Sequence, residues 1–217
     1  MSADRESLRA GFVAPELRAE FPGLRLRWLE TPARGASSPP ALRRRLRSLS
    51  DRYRGASVVA MRVKPVPHAF RAFFRQIGLD PDIQRIPGEE AAVSRLIHGE
   101  FRSLDLISDA CLVALVETGV PVWALDAGAV DGAGLGIRAA TAGDGAEAPD
   151  LTPAPGSLVV ADGSQAHAVL FAGPPAARCP GPRTTRTVLF AVGVDGVPEI
   201  HIEEALWLAA DLVADPG

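Results

Sequence analysis

Asp105 and Asp109 stand one helical turn apart inside "SLDLISDACLVALVETG", residues 103–119, where a carboxylate is costly unless something partners it. Either the two cap a helix or meet an arginine such as Arg71 or Arg75, or they face a site. Two further aspartates, Asp126 in "WALD" and Asp162 in "VVAD", each close a strand-like run. Aspartates in that place build turns, and they also line pockets where strand ends converge. Trp123, three positions before Asp126, either fills the core or walls such a pocket. Metal chemistry has little to stand on: His68, His98, His167 and His201 form no HxH or HxxxH pair, and Cys111 and Cys179 give neither a disulfide framework nor a ligand spacing. No Gly-x-Ser-x-Gly elbow, P-loop or dinucleotide fingerprint occurs, and the glycines of "DGAGLG" at 131–136 run into a strand rather than a helix. Neither a covalent nucleophile, a metal nor a cofactor is therefore expected.

These residues must be positioned by a helix-rich first half and a strand-rich second half. The stretch 12–30 ends in alternation, with Leu24, Leu26 and Trp28 on one side and Arg25 and Arg27 on the other, which predicts a half-buried strand. Residues 31–40 read as a linker. "ALRRRLRSLSDRYRG" reads as a helix that follows two prolines and closes on Gly55, with Leu42, Leu46 and Leu49 as its apolar stripe. Phe70, Phe73, Phe74 and Ile77 repeat at helical spacing within 67–81. Two more helices are expected at 87–99 and 103–119. Short strands follow at 120–125, 134–140, 156–162, 166–172 and 186–194, punctuated by Gly, Pro and Asp, and an amphipathic helix at 201–213 closes the chain. The expected class is α+β: a helix-rich N-terminal half flanking a mixed or antiparallel β-sheet core, with a C-terminal amphipathic helix. At 217 residues and 47% hydrophobic content, one globular domain spanning 1–217 is expected.

Charge is unevenly spread. Residues 1–76 hold sixteen Lys and Arg against six Asp and Glu, whereas the rest hold seven against twenty. A basic part of this size could meet phosphates, or it could dock on the acidic part at 77–217, whose β-rich section runs over 119–198. The charged start "MSADRESLRA" lacks the apolar core of a signal peptide, and no apolar run is long enough for a membrane span. With two cysteines only, a reduced, cytoplasmic protein is expected.

In sequence order, Asp109, "TGVPVWALD", "DG", "AGDGAEAPDLTPAPGSLVVADG" and "TTRTVLFAVG" resemble the B3/B4 domain of the phenylalanyl-tRNA synthetase β subunit, including its stand-alone members. There a helix carrying an Asp leads into a G-x-P-x-x-A-x-D strand, a D-G turn, an L-V-x-A-D strand and a T-x-x-V-L strand. "FRAFFRQIGLDP", "IPGEEAAVSRLIHG" and the segment at 12–30 are similar to upstream parts of the stand-alone versions, so the resemblance covers nearly the whole chain. It implies a sheet core of the B3/B4 type and an esterase that clears mischarged aminoacyl-tRNA without a covalent nucleophile or a metal. The implied substrate pocket contains Trp123, at the place of a histidine in the synthetase, with Asp126, Asp162, Thr185 and Asp109. Arg43, Arg44, Arg45, Arg47, Arg52 and Arg54, with Arg71 and Arg75, would then meet an aminoacylated tRNA; neither DNA nor a membrane is implied as a partner.

Two departures bear on substrate. The synthetase carries a Gly-Gly-Glu whose carboxylate reads the tyrosine hydroxyl, whereas "FAGPPAARCPGPRTT" offers no acid between Asp162 and Asp195. The Asn that usually follows the helix Asp is replaced by Leu112. A site built to bond a hydroxyl needs its polar partner, so either the substrate differs or the pocket is retired. The alternatives are a non-catalytic tRNA-binding module and a small-molecule protein that reuses an amino-acid pocket.

Overall fold

The computed structural model of the protein describes residues 7–32, 35–53, 55–132, 134–145 and 150–215. The chain opens with two short strands, β1 (Arg9–Ala10) and β2 (Phe12–Val13), then a helix α1 (Pro15–Glu20) and the strand β3 (Arg25–Thr31). Gly11 divides β1 from β2, and a Cβ there would lie 2.6 Å from Leu135 O and from the Leu26 side chain. Only glycine lets the backbone pass so close to its neighbours. Four helices follow: α2 (Pro40–Arg52), α3 (Gly55–Met61), α4 (Pro65–Gln76) and α5 (Pro87–His98). Three of these, α2, α4 and α5, begin on a proline, whose missing amide costs nothing in a first helical turn. The helix α6 (Leu106–Thr118) leads into β4 (Val122–Asp126), β5 (Gly136–Ala139), β6 (Leu158–Ala161), β7 (Ala166–Val169) and β8 (Thr187–Gly193). The last helix, α7 (Glu199–Ala214), buries Ile202, Ala205, Leu206, Ala209 and Val213 along one face.

The strands build two four-stranded sheets. The first, in the order β1-β3-β8-β4, is antiparallel throughout; the second, β2-β5-β6-β7, pairs β2 parallel with β5 and is otherwise antiparallel. Alternation in β3 sends Leu26 and Trp28 into the core, while Arg25 and Arg27 turn to the other face and bond Glu199 at the start of α7. Every residue of β8 is buried, as expected of a central strand covered on both faces. In register, Trp28 lies opposite Phe190, and Phe190 lies opposite Trp123. This aromatic row faces Phe70, Phe73 and Phe74 of α4 across a core that both sheets share.

The α+β class holds among the described residues, with seven α-helices, a C-terminal helix and two sheets. None of the described helices is long and apolar enough to cross a membrane. Two helices were not foreseen. The "PELRAE" helix α1 carries Pro at its first position and an acid in its first turn, but it is only six residues long. The "GASVVAM" helix α3 has β-branched residues and no charge in its end turns, so neither propensity nor capping announces it. The expected stop at Gly55 is corrected by the same finding. Helix α2 ends at Arg52 because Tyr53 turns inward, donating its hydroxyl to Val116 O at 3.1 Å and packing edge-on against Phe101.

Candidate functional site

Strand β4 is an edge strand, and Trp123 on it is half-buried. Its indole stacks on Phe190 with centroids 5.6 Å apart and approaches Phe171 at 6.0 Å. Phe171 also touches Phe70, Phe73 and Phe74. It adopts φ 64°, and among the described residues it is the one non-glycine with positive φ. A bulky side chain in that region is strained; here the aromatic cluster holds it. Two residues on, Gly173 at φ 78° presses its backbone to the Trp123 ring, where a Cβ would sit 3.2 Å from Cδ1 and Nε1. The loop after β7 is thereby clamped over the tryptophan.

Beside this clamp lies a cavity of about 220 Å³ at the open edge of β4. Its walls are Val122, Trp123 and Ala124, the first turns of α6 including Asp105 and Cys111, and the loop residues Pro174, Cys179 and Pro180. None of its titratable groups is poised as a nucleophile or base. Burial, with Asp105 and Cys179 nearby, pushes the Cys111 thiol up to about 12. Burial, then Asp105, also raises the Cys179 thiol, so both remain protonated at neutral pH and lack thiolate reactivity. The Asp105 carboxylate caps α6, accepting from the amides of Ile107 and Ser108 at 3.0 Å each and from Ser108 Oγ at 2.6 Å. Among the described residues no three His, Cys, Asp or Glu side chains converge as a metal site.

The other aspartates brace the cavity from behind. Asp126 accepts from the Gly128 amide at 2.9 Å and from the Thr184 hydroxyl, and Thr184 Oγ1 in turn accepts from Gly181 N–H at 2.9 Å. That chain of bonds ties the far end of the loop to the end of β4. The sequence pointed to the neighbouring Thr185, but the strand starts only at Thr187; Thr185 is exposed, while Thr184 is buried. Two adjacent threonines gave no signal to separate them.

Asp162 is the most heavily bonded side chain of the region and only 3% exposed. Its Oδ1 accepts from the amides of Ser164 and Gln165 at 2.8 Å each and from Ser164 Oγ at 2.9 Å. Its Oδ2 accepts from the Asp131 amide at 2.8 Å and from His167 Nε2 at 2.7 Å. Burial alone would raise its pKa, but the donors from Asp131, His167, Ser164 and Gln165 together hold it well below the usual carboxylate range. Burial pushes the fully buried His167 ring down, with Asp162 opposing. The D-G turn at 131–132 and the strand-end Asp162 thus meet in space. Arg178 of the cavity loop reaches the same turn through Gln165 Oε1.

Asp109 faces elsewhere. At 1% exposure it accepts from Ser38 Oγ, Ser103 Oγ and the Leu104 amide, the last at 2.9 Å, fastening the segments before α2 and α6. Among the described residues no arginine meets it, and Arg71, one candidate partner, is engaged on another side of the fold. That residue, 6% exposed, bonds both Glu89 oxygens at 2.9 Å and Asp82 at 2.7 Å, which removes it from any phosphate-contacting face.

The remaining arginines divide. Arg45 is bidentate on Glu117, with Nη2 to Oε2 at 2.8 Å. Arg43, Arg44, Arg47, Arg52 and Arg75 are exposed, and Arg54 lies outside the described residues. Part of the basic half does dock on the acidic half, through Arg25 and Arg27 with Glu199 and Arg45 with Glu117. The outer face of α2 keeps its charge at Arg43, Arg44 and Arg47, and the segment leading into this helix is bonded to residues that flank the cavity's walls. Gly35 N–H reaches Gly181 O at 3.3 Å, and Leu106 N–H reaches Ala36 O at 2.8 Å. Sequence reasoning missed Cys179 as a wall of the cavity and Phe171 and Gly173 as the clamp beside it, since a positive φ at phenylalanine has no sequence signature. No protein-family model matches the chain, and no curated protein matches its sequence.

Proposed function

We propose that the chain is a stand-alone relative of the B3/B4 domain, with a sheet core of that type, and that it clears mischarged aminoacyl-tRNA by hydrolysing the aminoacyl ester. The observation that carries this is a juxtaposition: a small cavity walled by Trp123 at an open strand edge borders the segment that leads into a helix whose exposed face bears Arg43, Arg44 and Arg47. Phosphates running along α2 would deliver a 3′ end to the cavity. Its volume, about 220 Å³, compares with about 150 Å³ for a cavity that holds benzene, so one amino-acid side chain fits. With Asp105, the one carboxylate of the walls, already bonded and both thiols neutral, the walls favour an apolar side chain over tyrosine.

Hydrolysis here asks for positioning rather than a nucleophile. Water adds to the ester carbonyl, the bond to the ribose oxygen breaks, and that oxygen takes the proton. A vicinal ribose hydroxyl assists the transfer, and the products are free amino acid and uncharged tRNA. Hydrolysis-resistant analogues, with the amino acid amide-linked to the tRNA, test the pocket apart from turnover. An apolar aminoacyl analogue binds about tenfold or more tighter than uncharged tRNA; Trp123→Ala erases that preference and leaves uncharged tRNA affinity unchanged. Equal binding of charged and uncharged tRNA by the wild type would reduce the protein to a tRNA-binding module, and no tRNA binding at all would remove tRNA from its function.

A further inference from the structure

A second cavity, of about 270 Å³, lies at the C-terminal end of α6, away from Trp123. Its walls come from Met61, the first turns of α4 and α5, and the last turn of α6, and they are mostly apolar: Val66, Phe70, Ile86, Ala92 and Leu115. It opens past Tyr53, Met61 and Lys64 into a wider mouth of about 460 Å³ that also reaches Arg52. The chain's one lysine stands at this junction. Lys64 is exposed and forms no ion pair with another described residue. The acid at the mouth, Glu117, has both oxygens held by Arg45, so its charge is already answered. The mouth is therefore net positive, and the chamber behind it is apolar.

From this pairing we infer that the chamber between α4, α5 and α6 is a binding site for a small amphipathic monocarboxylate, its apolar tail inside and its carboxylate against Lys64. Scaled from the benzene-sized cavity of about 150 Å³, a chamber of about 270 Å³ holds roughly eleven non-hydrogen atoms, the size of a medium-chain or arylalkyl acid. Helices α4 and α5 both start on its wall, and neither has a side-chain cap. Their positive ends reinforce the preference for an anion set by Lys64. Gly88 is part of the chamber wall, where a Cβ would come into ordinary contact with Leu115 Cδ1 and Met61 Sδ, each at 3.8 Å. A larger side chain at that position would grow into the space a tail occupies. The site does not depend on the function proposed for the Trp123 cavity.

Met61 supplies the reporter, because Met1 is the only other methionine. In protein labelled at the methionine methyl groups, octanoate shifts the Met61 resonance saturably. Octanamide, with the same tail and no charge, binds about tenfold more weakly, the size expected for one charge-assisted contact. Lys64→Gln removes the difference between the two ligands, and Gly88→Leu abolishes binding of both. Absence of a saturable shift, equal affinity of the wild type for acid and amide, or unaltered binding by a folded Gly88→Leu protein would each overturn the assignment. If Gly88→Leu does not fold, the comparison of acid and amide in the wild type and in Lys64→Gln decides alone.

Discussion

Replacing Asp162 by asparagine changes one atom's chemistry in a buried cluster of five donors, and its cost follows from their arrangement. An ionised carboxylate only accepts, so His167 must donate through Nε2, and the amides of Asp131, Ser164 and Gln165 donate as well. Asparagine keeps one acceptor oxygen, which serves best where Ser164 and Gln165 converge. Its NH₂ group then confronts the Asp131 amide, leaving a buried N–H without an acceptor at about 1–3 kcal/mol. The His167 ring can shift its proton to Nδ1, which has no hydrogen-bond partner, but the bonds that remain lose their charge assistance. Together these predict a loss of about 4 kcal/mol, read as a lower urea midpoint at unchanged slope using tryptophan fluorescence. The pH dependence gives a second signature. Because the folded carboxyl titrates below its unfolded value of about 3.9, its stabilisation is complete above that pH and is lost as pH falls through the folded pKa. Asp162→Asn lacks this acid-dependent component. A loss below about 1 kcal/mol, or an acid profile identical to the wild type, would refute the reasoning.

Arg71→Met leaves Glu89, 2% exposed, with the longer contact to Arg62 at 3.5 Å as its one ion pair among the described residues, and should cost about 3–5 kcal/mol in urea unfolding without altering tRNA affinity. Changing Arg43, Arg44 and Arg47 together to alanine should leave stability nearly unchanged and flatten the dependence of log affinity on log salt by about 2–3 in slope, as for three lost phosphate contacts. For the cysteines, Cys111, with its thiol at about 12, should resist iodoacetamide in the native protein at pH 8. The exposed Cys179 should be modified slowly, with a rate that climbs as pH rises toward its elevated pKa; mass spectrometry of each peptide distinguishes the two.

Much of the fold was legible because its signals are local. The phenylalanine stripe of α4, the alternation of β3, the acids and glycine that bound α5, and the strand-ending aspartates all lie where their patterns place them. What could not be read depends on partners distant in the chain. Asp105 caps its own helix, as its position allowed, but Asp109 proved to be a clasp on Ser38, a role set by the segment before α2 rather than by its spacing from Asp105. Arg71, a candidate for an aspartate or a phosphate, found its partner in Glu89 instead. The candidate site was half visible: Trp123, Asp126 and Asp162 carried turn and strand signals, whereas the loop opposite them is an irregular run of Pro, Gly and Ala. Its clamp depends on the φ of Phe171 and the bare Cα of Gly173, which only the packed structure reveals.

The proposal of a tRNA-editing enzyme meets its most direct test in deacylation of a panel of labelled aminoacyl-tRNAs, mischarged phenylalanine tRNA among them, by wild type and Trp123→Ala protein side by side. The geometry predicts hydrolysis of a tRNA carrying an apolar amino acid, abolished by Trp123→Ala while the variant remains folded and still binds uncharged tRNA. Hydrolysis that survives Trp123→Ala, or none for any charged tRNA, would contradict it.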